Sequence, residues 1–328
     1  MKSPITGKEM ILQKEKRTLT FRKEEFEVVY HYYLCIDTGE QFEDDHLAGL
    51  NITQVYNHYR ERLRLPFPDE IKAIREKYSL SARKMSDILG FGPNTYGNYE
   101  KGEIPSKANA RLIQLAEEPE EFRKLARLSG NLSKALDKKI TELQQRERSF
   151  SEIVTDSIFR EKTQNSRNGY TLFSPEKVYH MILFFALMLE PWKTKLNKLL
   201  FYADFYHYKQ YGFSISGLKY APINYGPVPD DYELLYTFGR KEGVFKNVFQ
   251  EITNDVSGEK IVPAKRIKFN DMLFEKSEID TLNTVITRFK NVTSSEIVRM
   301  SHEEKAWTEN YKKHANIDYR YSFDLIHI

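Results

Sequence analysis

Between Leu80 and Gly102 the chain reads LSARKMSDILGFGPNTYGNYEKG, two short helical stretches joined by a glycine-marked turn. Ser81 is placed to cap the first helix, Met85, Ile88 and Leu89 form its apolar side, and Gly90 supplies the left-handed residue that ends it. Pro93 falls where a first helical turn tolerates a missing N–H, and Tyr96 and Tyr99, three positions apart, can turn back toward the first helix. The spacing predicts a helix-turn-helix. Its outer side carries Asn94, Thr95 and Asn98, whose amide and hydroxyl groups suit the donors and acceptors on base edges in a major groove. Arg83, Lys84, Lys101 and Lys107 are the cations available to phosphates, and Arg83 and Lys101 are the two assigned to the interface.

Composition limits what surrounds this stretch. At 328 residues and 40% hydrophobic content the chain can fill more than one core, so two or three domains are expected. A net charge of only +3 means that DNA affinity has to come from a local patch. The single Cys35 excludes an internal disulfide and any zinc site built from several cysteines of one chain. The longest apolar run, Met181–Leu189, is about half of a membrane span, and the N-terminus lacks a signal-peptide apolar region. A cytoplasmic protein without membrane contact is the expectation.

Taken in order, residues 1–48 predict a small β unit. Phe26, Val28, Tyr30, Tyr32 and Leu34 share one face at period two, and Leu19–Phe21 can pair back across a charged turn at Arg22–Glu25. SPIT at Ser3–Thr6 and CIDT at Cys35–Thr38 have the spacing of paired CxxC knuckles, but three of the four positions hold hydroxyls, so no metal is expected. Residues 66–128 predict an all-helical domain around the helix-turn-helix. Pro68 and Asp69 start a helix bearing Ile71, Ile74 and Tyr78, and Ser106 opens another bearing Ala110, Leu112, Ile113 and Leu115. Residues 129–170 predict an amphipathic helix, with Leu132, Leu136, Ile140 and Leu143 either packing on the neighbouring domain or forming a dimer seam, and then a linker at Thr163–Gly169. Residues 171–328 predict a third domain. It starts with two helices either side of Glu190–Trp192, followed by a structured Gly/Pro loop and a helix with Asp230 and Asp231 in its first turn. A hairpin, Val244–Thr253 with Ile261–Phe269 around Ser257-Gly258, precedes two further helices, the second with Thr293 and Glu296 in capping-box spacing. The expected fold class is mainly α with small β parts.

Catalysis is not expected. Asp204 and His207 lie one helical turn apart, with His180, Asp230 and Asp231 as conceivable neighbours, yet no nucleophile sits in a GxSxG, HExxH or glycine-rich phosphate context. No catalytic residue and no cofactor are assigned. Tyr202, Tyr206, Tyr208 and Tyr211 crowd one helix and cannot all face inward, while Tyr220 and Tyr225 add two more in the adjoining loop. Exposed tyrosines suit protein recognition.

Two resemblances follow from longer strings. MKSPITGKEM, YYLC and above all GFGPNTYGNYEKG make residues 1 to about 128 similar to the MqsA antitoxins, a small zinc-knuckle domain followed by an Xre-class helix-turn-helix. The resemblance implies that Asn94 and Asn98 are the base-reading positions, with arginine at the second of them in a relative. It also implies that Ser3, Thr6, Cys35 and Thr38 occupy the zinc-cysteine positions of a metal-free version. KLNKLLFYADFYHYKQYG, YAPINYGPVPDDYELL and SHEEKAW make residues from about 175 to 322 resemble the Panacea, or SocA-like, antitoxin domain. That family implies a mostly helical domain that neutralises a protein toxin by direct binding, with Lys198, Tyr202, Tyr225, Gly226, Pro227 and Trp307 as its signature. Lys198, Tyr202, Tyr206, Tyr220 and Tyr225 are therefore the toxin-binding candidates. Together the two resemblances imply a type II antitoxin that binds a cognate toxin and its own operator DNA, as a homodimer. The rivals are a transcription regulator whose C-terminal domain senses a ligand or drives assembly, and a proteolytic adaptor like SocA.

Overall fold

An antiparallel ribbon opens the chain. Strands β1 (Ile11–Phe21) and β2 (Glu24–Leu34) pair along their whole length, and β3 (Gln41–Phe42) adds a short third strand beside β2. The ribbon turns on Arg22 and Lys23 alone, both left-handed with φ of 49° and 67°, the two-residue turn whose twist matches the strands. The structure, a computed structural model, describes residues 1–159, 163–253 and 256–328, and these divide into two units, Met1–Ser149 and Phe150–Ile328.

The first unit holds a helix that sequence reasoning missed. α1 (Asp45–Leu63) begins at Asp44, whose carboxylate accepts from Leu47 N at 2.8 Å. It buries Asn51, Gln54, Asn57 and Arg60 beside its apolar residues, which blurs the helical period. Two of these amides replace a strand. Gln54 accepts from Val29 N at 3.0 Å and donates to Val29 O at 2.8 Å, and Asn51 does the same for His31, at 2.9 Å both ways. The outer edge of β2 is thus satisfied by side chains, as a buried backbone requires.

Six short helices complete the unit: α2 (Pro68–Lys77), α3 (Ala82–Leu89), α4 (Thr95–Glu100), α5 (Lys107–Leu115), α6 (Pro119–Leu128) and α7 (Lys134–Gln145). The ribbon and the helices share a core rather than forming separate domains, because Phe26 and Val28 pack with Val55, Tyr59, Leu65, Ile104 and Ala110. Arg60, buried, donates to Gly102 O at 2.7 Å, and Arg22 at the ribbon tip donates to Ile104 O at 3.1 Å. The segment expected as a separate amphipathic helix also belongs here. Leu136 and Ile140 of α7 are buried in the main helical core with Met85, Tyr96, Ile113 and Phe122, so of the two alternatives the face packs within its own unit.

The second unit is built round one helix. It comprises α8 (Phe150–Phe159), α9 (Pro175–Leu189), α10 (Lys193–Tyr211), the hairpin β4 (Tyr220–Ile223) and β5 (Gly226–Pro229), and α11 (Tyr232–Lys241). The hairpin β6 (Phe245–Thr253) and β7 (Val256–Pro263) follows, then α12 (Lys276–Phe289), α13 (Ser294–Glu303) and α14 (Lys305–Thr308). Thirteen of the nineteen residues of α10 are buried, so other elements surround it and no single face is apolar. Thr293 and Glu296 form the expected capping box at α13.

Three expectations are corrected in this unit. Thr163–Gly169 is docked, not a free linker: Gln164 and Asn168 are buried, Ser166 donates to Asp318 at 2.7 Å and accepts from Tyr319 N at 2.9 Å through its carbonyl. Residues 160–162 of the same predicted segment lie outside the described residues. Ser257 and Gly258 sit inside β7, paired with Glu251 and Gln250, and the connection at 254–255 lies outside the described residues. Asp231 is the N-cap of α11 in a left-handed conformation, φ 54°, rather than a first-turn residue.

Candidate functional site

The helix-turn-helix is fixed from beneath by bonds that sequence spacing could not show. Ser81 accepts from Lys84 N at 3.2 Å, and Gly90 takes the left-handed C-cap at φ 73°. Buried Ser86 of α3 accepts from Tyr96 N at 3.1 Å, and Tyr96 donates its hydroxyl to Ile71 O at 2.7 Å, which ties α4 to both α3 and α2. Burial pushes the Tyr96 phenol far above its ordinary range, so it stays a donor. A Cβ at Gly97 would meet Ala82 Cβ at 3.6 Å, which marks how closely the two helices cross. Arg75 clamps the far end with a two-pronged bond to Glu100, 2.5 and 3.2 Å.

With the apolar side thus anchored, Asn94 and Asn98 are exposed on the other, joined by the Asn98 N–H to Asn94 O bond of 3.0 Å. Arg83 and Lys101 are exposed and Thr95 is half-buried. Two details differ from expectation. Pro93 stands in the turn ahead of α4, with Asn94 as N-cap, because the helix begins only at Thr95. Lys84 donates to Asn131 Oδ1 at 2.7 Å, which draws it away from the phosphate candidates.

The four knuckle positions do meet. Ser3 and Cys35 are buried, Thr6 Oγ1 lies 3.7 Å from Cys35 Sγ, and Ser3 Oγ accepts from Ile5 and Thr6 N at 3.3 Å. Hydrogen bonds from Ser3 and Thr38 pull the thiol down to about 7. One thiol among three hydroxyls does not fit zinc, which is held by thiolates, imidazoles and carboxylates. Among the described residues no cluster of three His, Cys, Asp or Glu is placed to hold a metal.

In the second unit Asp204 and His207 of α10 point inward, each to its own partner. Asp204 is fully buried and accepts four bonds: Ile215 N at 2.9 Å, Ser216 N at 2.8 Å, Ser216 Oγ at 2.5 Å and Tyr220 OH at 2.7 Å. Burial raises its pKa against the pull of those donors. His207 does not bond Asp204. Its Nδ1 pairs with Phe213 O at 2.7 Å and its Nε2 with Ser277 at 3.3 Å, and burial lowers it to about 4, so it is neutral. His180 accepts from Asn270 N, and Asp230 from Asn316. The acid–base grouping weighed from sequence is therefore dispersed.

The toxin-binding candidates divide by burial. Tyr202 and Tyr220 are corrected: both are fully buried, the first donating to Glu304 at 3.3 Å and the second to Asp204, so neither presents a contact surface. Tyr206 is half-buried, whereas Tyr225 is 68% exposed. Lys198 is buried, donates to Pro227 O at 2.9 Å, and is lowered to about 7 by burial. Gly226 takes φ 89° directly above it, where a Cβ would come within 2.7 Å of Lys198 Cε. Trp307 holds the same hairpin by donating to Ile223 O at 2.9 Å. A cavity of about 190 Å³ lies here, and Lys193, Thr194 and Asn197, which line it with Lys198 and Tyr225, escaped sequence reasoning because polar residues on a surrounded helix give no period.

No curated protein matches the chain. Residues 71–116 match the family described as Helix-turn-helix, and residues 196–308 match that described as Antitoxin SocA-like, Panacea domain. The chain therefore carries an Xre-type helix-turn-helix domain and, after it, a SocA-like Panacea antitoxin domain.

Proposed function

We propose that this protein is the antitoxin of a type II pair, holding a cognate protein toxin inactive through its Panacea domain and binding its own operator through the helix-turn-helix. The observation that carries the reading is the union, in one chain, of a Panacea domain with a helix-turn-helix whose outer face is made of exposed asparagines and cations. The resemblance of residues 1–128 to the MqsA antitoxins supports it. Both jobs are binding rather than catalysis: phosphate contacts by Arg83 and Lys101 set DNA affinity, and Asn94, Thr95 and Asn98 choose bases. The protein acts in the cytoplasm, and homodimerisation would match a palindromic operator.

The test is co-expression with the neighbouring reading frame. Growth restored on toxin induction, with a complex that co-purifies and a promoter repressed by the chain alone, is the expected result. Growth that stays arrested while the promoter is still repressed overturns the antitoxin half and leaves a transcription regulator. Rescue that depends on a cellular protease makes the chain an adaptor.

A further inference from the structure

The cavity at the start of α10 has a lining of hydrogen-bond donors. Asn197 is only 4% exposed, and its Oδ1 accepts from Tyr236 at 2.8 Å, leaving Nδ2 without an acceptor among the described residues in a side chain that lines the cavity. Lys198 has Pro227 O as its one acceptor among the described residues and no carboxylate within ion-pair distance. The Thr194 hydroxyl in the lining adds a further donor. Glu233, the carboxylate of the lining, is held by Lys193 at 2.6 Å, which also pairs with Glu259 at 2.9 Å.

We propose that this cavity receives a carboxylate carried on an acidic side chain of the protein partner, an inference that rests on the partner-binding reading above. Its volume of about 190 Å³ falls below the roughly 300–1,000 Å³ of small-molecule sites and suits one inserted side chain. Thr194 and Asn197 meet the carboxylate. Lys198, which lines the buried side of the cavity with Pro227 O as its partner, takes up a proton from solvent as the carboxylate enters and then supplies the opposing charge. Tyr225, 68% exposed beside the cavity, offers the partner an aromatic contact around the insertion point.

The full chain, labelled at asparagine, is titrated with N-acetyl-aspartate amide and, at matched ionic strength, with its neutral asparagine analogue. The Asn197 side-chain amide signal, assigned by its loss in Asn197→Ala, is expected to shift saturably with the acid alone, and Lys198→Met to weaken that binding at least tenfold. No shift, or an equal shift with the neutral analogue, overturns the proposal. In the co-purified complex, Thr194→Val and Lys198→Met are each expected to weaken partner binding at least tenfold. Thr194→Val, a change at an exposed residue, keeps this arm decisive if Lys198→Met fails to fold. A partner held equally by wild type and both variants overturns delivery by the partner, whatever the aspartate probe does. If no partner is retained at all, the antitoxin reading fails, while the aspartate titration still decides the chemistry of the cavity.

Discussion

Helices α4 and α10 both carry the polar groups on which this chain depends, and they are built in opposite senses. α4 is six residues long, buries Tyr96 and Tyr99, and turns Asn98 outward. α10 is nineteen residues long and turns Lys198, Asp204 and His207 inward, where each meets a carbonyl, an amide or a hydroxyl of its own unit. The difference teaches where a polar substitution will register. On α4 it should change what the protein binds and leave its stability alone; on α10 it should change the fold first.

The strongest way to break that contrast is Asp204→Ala. It strands two backbone N–H groups, Ser216 Oγ and Tyr220 OH in a site with no solvent access. At roughly 1–3 kcal/mol per unsatisfied buried group, partly relieved by relaxation, a loss of about 4 kcal/mol or more is expected in urea unfolding of the second unit. A loss under about 1 kcal/mol, within the range of surface changes, would mean that α10 is not organised around this carboxylate.

Next in size is a pH effect from Lys198. Burial holds it at about 7 in the fold, against 10.5 for an ordinary lysine. Between those values the unfolded chain carries a proton that the folded chain lacks, so stability rises with pH through this window and the lysine's full cost is felt below about 7. From pH 7 to 9 the gain has an upper bound of about 2.7 kcal/mol, because one proton's difference is worth about 1.36 kcal/mol per pH unit. The tyrosines that titrate at the alkaline end, and His302 beside Lys198, are common to wild type and Lys198→Met. The difference in urea midpoint between the two proteins should therefore change in the wild type's favour as pH rises. A difference that stays flat from pH 7 to 9 would show that Lys198 is solvated.

How much of this was legible in the sequence follows from the same contrast. The helix-turn-helix could be read because its signals are local: a capping serine, a left-handed glycine, and apolar residues confined to one side of α3. The role of Tyr202 could not, because a helix surrounded on all sides has no polar face to distinguish contact residues from core, nor could that of Tyr220 on β4, since both phenols are buried against acids supplied by other elements. α1 was lost for a related reason, since Asn51 and Gln54 face β2 as strand substitutes and interrupt the apolar repeat. The knuckle positions were visible as spacing, but their hydroxyl and thiol contacts needed coordinates, as did the donor-lined cavity beside Asn197.

The smallest effects test the other half of the comparison, and here the two α4 variants should separate from each other. Asn98 is exposed and makes no side-chain bond among the described residues, so Asn98→Ala should leave unfolding unchanged within about 0.5 kcal/mol. It should still lower discrimination between operator and random duplex by about 1–3 kcal/mol, the worth of one good amide–base pair. Lys101→Ala, one turn on, removes a charge rather than a base contact, so operator and random duplex should weaken together and the slope of log affinity against log salt should fall by about one. Measuring both variants on both duplexes at several salt concentrations separates the roles. If Asn98→Ala weakens both duplexes equally and moves the salt slope, its amide is positioning the backbone, and base choice must come from Asn94 and Thr95, where α4 begins.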